Sequence, residues 1–163
     1  MARKVLSPQG DGRAIGMYSA GFATQPGRLV FVSGQVAIDG EGRLVGEGDF
    51  AAQAGQVFRN LAAVLAAAGC TLKDVVKFGT YLTRAEDFAT FTAWRKEHYP
   101  RLFPDGVYPP NTGVVVTALA RPGLLLEVEA MAVRSTPAAR PPVPKRPAAR
   151  ATRPGRARRT PRR

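Results

Sequence analysis

Two carboxylates stand out among the few residues with chemical potential. Glu127 and Glu129 lie two apart in Leu124-Leu125-Leu126-Glu127-Val128-Glu129-Ala130, a run that otherwise reads as a buried strand. Strand residues two apart share a face, so both carboxylates interrupt one apolar surface. Once that face is covered, a carboxyl on it is partly desolvated and suited to holding or delivering a proton. On a wet edge, or paired with Arg134 or Lys77, the same residues have only a structural role, and spacing alone leaves both readings open. His98 has no Ser, Cys or Asp at triad spacing and falls where a helix should end, which favours interaction with the helix dipole. Cys70 follows a helix-ending Gly69 without a CxxC or basic signature and reads as a small, half-buried side chain. One Cys and one His permit neither an internal disulfide nor a closed zinc site of soft ligands. No P-loop is present, and the glycines of Gly10-Asp11-Gly12-Arg13-Ala14-Ile15-Gly16 miss the dinucleotide spacing and precede a strand. No cofactor or metal is expected.

The elements that must position these residues follow from hydrophobic period. Tyr18 to Thr24 and Arg28 to Gln35 read as strands joined at Pro26-Gly27, with a shorter strand near Lys4 to Leu6 before them. Asp39-Gly40-Glu41-Gly42 turns the chain toward a short extended piece at Leu44 and Val45. Phe50, Ala54, Val57, Phe58, Leu61, Leu65 and Ala68 then recur at helical steps, with Asp49 as N-cap and Gly69 just past the end. Val75 to Leu82 alternates as a strand. Thr83-Arg84-Ala85-Glu86 matches a capping box opening a second helix, which should run to about His98, before Pro100, with Phe88, Phe91 and Trp94 as its apolar stripe. Gly113 to Leu119 and Leu124 to Val133 close the domain around Arg121-Pro122-Gly123. The expected order is β-β-β-α-β-α-β-β, an α+β domain whose sheet carries both helices on one face.

Several strands are apolar on both faces: Val114 and Val116 oppose Val115, and Leu124, Leu126 and Val128 oppose Leu125, Met131 and Val133. Two helices cover one face. Another copy of the chain is the expected cover for the second, with a closed barrel or a loop folded across it as the alternative.

Charge divides the 163 residues unevenly. The formal net charge is +12, yet residues 1–134 carry 14 basic and 12 acidic groups, and residues 135–163 carry ten basic and none acidic. Seven of the 14 prolines and no aromatic residue fall in that last segment. It cannot bury enough apolar area to offset ordering, so residues 135–163 are expected to be a disordered basic Pro/Ala/Arg-rich tail. Its arginines suit non-specific contact with nucleic-acid phosphates; its composition also fits a drifting solvated extension. No apolar segment reads as a signal peptide or membrane span, and the expected setting is the cytoplasm.

Gly16-Met17-Tyr18-Ser19, Phe31-Val32-Ser33-Gly34-Gln35, the Gln53 to Gly69 helix, Val76-Lys77-Phe78, Pro109-Pro110-Asn111-Thr112 and Glu127-Val128-Glu129-Ala130 occur in order across residues 5–134. Together they resemble the RidA (YjgF/YER057c/UK114) family. The resemblance implies a chorismate-mutase-like fold, a homotrimer and cofactor-free hydrolysis of small enamines or imines in a cleft between subunits. It implies Tyr18, Ser33, Gly34, Thr112 and Gly113 as substrate-binding positions and Glu127 as the carboxylate that positions water. The loop arginine that grips a substrate carboxylate in the family is Asn111 here, a neutral amide in place of a charged fork. Arg121 and Arg101 are the cations considered as replacements. Without one, the expected substrate presents a neutral group to Asn111; a non-catalytic, metabolite-binding or protein-binding trimer is the alternative.

Overall fold

The computed structural model describes residues 3–9 and 12–135, so the expected tail, apart from Ser135, lies outside the described residues. The element order is the one expected: β1 (Arg3–Leu6), β2 (Gly21–Thr24), β3 (Gly27–Val36), α1 (Phe50–Ala67), β4 (Val75–Leu82), α2 (Asp87–Leu102), β5 (Asn111–Val115) and β6 (Leu126–Ser135), with one 3-10 turn at Leu72–Asp74. β1 and β2 pair only with each other, and the other four strands form a sheet in the order β3-β6-β4-β5. β6 runs antiparallel to both neighbours, while β4 and β5 are parallel, as the α2 crossover between them requires.

Local chemistry sets the ends of α1. The Asp49 carboxylate accepts the Ala52 N–H at 3.0 Å, and Gly69, at φ +69°, lets the Cys70 N–H reach the Leu65 carbonyl at 2.8 Å. Val57, Leu61 and Leu65 on α1 are fully buried against Val75, Phe78, Leu126, Val128 and Ala132 of the sheet. Aromatic contacts join α2 to this core, with Phe58 and Trp94 at 4.9 Å between ring centroids and Tyr99 and Phe103 at 5.0 Å.

Several boundaries differ from expectation. α2 has no capping box: Thr83 Oγ1 donates to the Leu124 carbonyl instead, and Arg84 pairs with Asp87 at 2.8 Å in the first turn. The helix continues through Pro100 to Leu102, because a proline in the last turn removes one backbone bond while burial of Tyr99 and Phe103 holds that turn closed. β5 starts at Asn111 rather than Gly113 and ends at Val115, so the expected substrate loop is strand from Asn111 onward. The first long strand shrinks to Gly21–Thr24, leaving Tyr18 in a turn whose N–H meets the Gly16 carbonyl. Cys70 is buried, not half-buried.

Both helices lie on one face, as expected. The other face exposes Phe31 (69 %), Leu29 (59 %) and Met131 (45 %) beside Ser33, Lys77, Gly79, Glu127 and Glu129. No helix among the described residues is long and apolar enough to cross a membrane.

Candidate functional site

Strand parity sorts the expected site residues into two places on one subunit. Asn111 and Gly113 lie opposite Phe78 and Thr80, on the helix side of the sheet. There they line a cleft of about 410 Å³ together with Tyr18, Phe88 and Arg95. The Asn111 Oδ1 accepts the buried Thr80 hydroxyl at 2.9 Å, which orients the amide, and its Nδ2 has no protein acceptor among the described residues. Gly113 leaves room for the Phe88 ring: a Cβ there would stand 3.0 Å from Phe88 Cε1. The turn carrying Tyr18 is fixed by the Ser19 hydroxyl, which donates to the Tyr108 carbonyl at 2.7 Å.

The second place is the open sheet face. Ser33, Lys77, Gly79 and Glu129 line a hollow of about 200 Å³ with Phe31 and Met131 at its rim. Glu127 lies against Gly34, and Glu129 lies over Gly79; a Cβ at either glycine would collide with the carboxylate. Two absent side chains therefore make room for two carboxylates. A register shift between Val32 and Gln35 leaves Ser33 and Gly34 without ladder partners on β6, and the Gln35 side-chain amide donates to both of their carbonyls, at 3.1 and 3.4 Å. Glu129 accepts the Tyr81 hydroxyl at 3.0 Å; that bond and the carboxylate charge raise the Tyr81 pKa above the usual tyrosine value. Lys77 donates to Thr112 Oγ1 at 2.6 Å. Among the described residues neither glutamate pairs with Lys77 or Arg134, so the ion-pair alternative is not what forms.

The two groups share no lining residue. Tyr18, Asn111 and Gly113 come together, as do Ser33, Gly34 and Glu127, but one chain does not join the sets, and Thr112 points with the second. Neither considered arginine enters the cleft: Arg121 donates to the Gly42 carbonyl at 3.1 Å, and Arg101 is exposed on α2. His98 stacks on Trp94 at 4.4 Å between centroids, its Nδ1 2.9 Å from the Trp94 carbonyl, a structural placement in the last turns of α2. Arg95, Gly79 and Tyr81 were not singled out from the sequence. A signal for Arg95 was present, because it falls four residues from both Phe91 and Tyr99, on the buried stripe of α2.

No cluster of three or more metal-ligating side chains occurs among the described residues. The model of the Endoribonuclease L-PSP family matches residues 11–134. Protein DfrA of Myxococcus xanthus is 39% identical over 133 residues, spanning 82% of this chain and 97% of that one. The 2-iminobutanoate/2-iminopropanoate deaminase of Mus musculus is 38% identical over 133 residues, 81% of this chain and 92% of the deaminase. Among solved structures, YyfB, a Rid family protein of Yersinia pestis, superposes with a TM-score of 0.71 at 36% identity, covering 82% of this chain and all (100%) of YyfB. The E. coli YjgF gene product gives 0.59 at 30%, covering 81% and 99%. With the fold and these similarities in agreement, the chain belongs to the Endoribonuclease L-PSP family, the RidA/YjgF family that its motifs resemble.

Proposed function

We propose that the chain is a cofactor-free hydrolase of small imines and enamines, acting in clefts between the subunits of a homotrimer. The observation that carries this reading is the division of the site: two sets of residues, each locally ordered, lie at separate places on one chain, and one set borders an uncovered apolar face. A second copy placed on that face joins Glu127 and Ser33-Gly34 of one subunit to Tyr18 and Asn111 of the next. Imine deaminases among the relatives supply the reaction class.

The chemistry needs little machinery. An enamine tautomerises to its imine. Glu127 then holds a water against the carbon of the N-protonated imine and takes one of its protons as the C–O bond forms, giving a neutral carbinolamine. Glu127 returns that proton to nitrogen, and as the C–N bond breaks the carbinolamine hydroxyl gives up its own proton to the same carboxylate, releasing ammonia and leaving a carbonyl. The Ser33 hydroxyl and the N–H groups of Ser33 and Gly34, which have no ladder partner on β6, frame the reacting centre.

The test is 2-iminopropanoate, generated fresh from 2-aminoacrylate, with ammonia release followed for the intact chain and for Glu127→Ala, alongside sedimentation at micromolar protein. The expected result is a trimer whose intact form hydrolyses the imine at least ~10²-fold faster than the variant. A monomer overturns the shared cleft, and binding without turnover overturns the hydrolase in favour of a metabolite-binding trimer.

A further inference from the structure

We infer that Arg95 binds the anionic group of the substrate in the Tyr18 and Asn111 cleft, so that the site selects small carboxylates although Asn111 itself is neutral. The inference rests on the hydrolase reading only for the identity of the substrate.

Arg95 is 8 % exposed, and its Nε is buried with no hydrogen-bond partner. Among the described residues its polar partners are neutral: Nη2 donates to Thr92 Oγ1 at 3.4 Å, and the guanidinium reaches the Tyr99 hydroxyl. Among the described residues no carboxylate lies within ion-pair distance of it, whereas Arg3, Arg43 and Arg84 are paired with Asp105, with Asp39 and Glu41, and with Asp87. A guanidinium cannot shed its proton, so burial leaves a fixed charge that calls for a counter-ion. Aromatic faces meet part of that need: Cζ lies 4.7 Å from the Phe91 ring centroid and 6.0 Å from that of Tyr99. The ring faces themselves satisfy none of the N–H donors around the guanidinium edge, and the Tyr99 hydroxyl is a neutral partner. Tyr99 does not supply the negative charge either, because complete burial holds its hydroxyl far above the usual tyrosine pKa and therefore neutral.

This guanidinium, without a counter-ion among the described residues, belongs to a side chain that lines the same cleft as Tyr18 and Asn111. A carboxylate there would receive charge-assisted bonds from Arg95 and a neutral one from Asn111 Nδ2, whose own Oδ1 is held by Thr80. Position matters as much as charge. Arg95 is anchored on a helix between two aromatic rings, so its planar fork is already oriented before ligand arrives. In this reading the expectation of a neutral recognised group gives way to a 2-imino acid or a similar short acid.

Calorimetric titration of the full chain with pyruvate and with methyl pyruvate tests this without turnover. The two probes share a ketone and a carbon skeleton and differ in the negative charge. Pyruvate should bind at least about tenfold more tightly than the ester, and Arg95→Met should erase that preference while Arg95→Lys keeps part of it. Equal affinities, no pyruvate binding at millimolar concentration, or a folded Arg95→Met variant with undiminished pyruvate binding would each overturn the inference. Should Arg95→Met fail to fold, the probe pair on the intact chain and on Arg95→Lys decides alone. An Arg95-dependent pyruvate site in a chain inert toward imines keeps the anion site and removes the hydrolase. Imine turnover indifferent to Arg95 does the reverse.

Discussion

Gly34→Ala separates the two carboxylates on the open sheet face. A Cβ at Gly34 would stand 2.5 Å from Glu127 Cδ and 2.8 Å from its Cγ. Non-bonded carbons settle at roughly 3.5–4 Å, so the Glu127 carboxyl must withdraw by about 1 Å. A misplacement of that size at a reacting centre can lower the rate about 10²-fold, or roughly 2.7 kcal/mol of barrier. The corresponding change beneath the other carboxylate, Gly79→Ala, sets a Cβ 2.8 Å from Glu129 Cγ and leaves Glu127 where it is. Imine hydrolysis, read as pyruvate formed from 2-iminopropanoate, should therefore fall about 10²-fold in kcat/KM for Gly34→Ala and less than about tenfold for Gly79→Ala. Thermal unfolding and sedimentation of both variants check that fold and assembly persist. A Gly34→Ala enzyme within about threefold of the intact chain, beside a collapsed Gly79→Ala, would refute the assignment of water to Glu127 and transfer it to Glu129.

Three further outcomes are expected. Asn111→Arg should restore pyruvate binding to Arg95→Met, yet give under about a tenfold gain in the intact chain, where two guanidiniums would share one cleft; a large gain there shows that Arg95 leaves the carboxylate unmet. Removing residues 135–163 should lower the net charge from +12 to +2 and abolish salt-sensitive DNA retention with no change in the unfolding transition; an altered transition shows that the segment packs on the domain. Burial, then the Asp74 charge, raise the Cys70 thiol pKa, so the folded state keeps that proton longer than the unfolded one. Stability from this source is full below the ordinary thiol pKa of about 8.5 and is lost as pH rises toward the folded value; denaturation curves of Cys70→Ala should lack that component of the alkaline decline.

The elements best read from sequence were those in which one period runs without interruption. The stripe from Phe50 to Leu65, bracketed by Asp49 and Gly69, specifies α1 because capping and burial agree, and β4 alternates cleanly from Phe78 to Leu82, past a register shift between Val75 and Lys77. The end of α2 was misread because Pro100 is a local signal, while the packing of Tyr99 and Phe103 that overrides it is tertiary. The spacing of Thr83 from Glu86 fits a cap, but the nearby Leu124 carbonyl claims the Thr83 hydroxyl. Motif positions single out Tyr18, Ser33, Gly34, Asn111 and Glu127 as candidates, but not their division into two places, which depends on whether each strand residue faces the helices or the open side. Arg95 escaped notice because a charge among helical charges looks solvated; only its position between Phe91 and Tyr99 betrays that it is buried.

The separation of the two residue sets has a genetic consequence. In the proposed trimer, each cleft takes its Arg95 side from one chain and its Glu127 side from the next, so damage to one side can be made good by a neighbour damaged on the other. Co-expressing Arg95→Met chains with Glu127→Ala chains in equal amounts and random order would rebuild about a quarter of the clefts, although neither variant alone has a complete one. Inactivating substitutions would then sort into two complementation groups within a single gene, with rescue between groups and none within them.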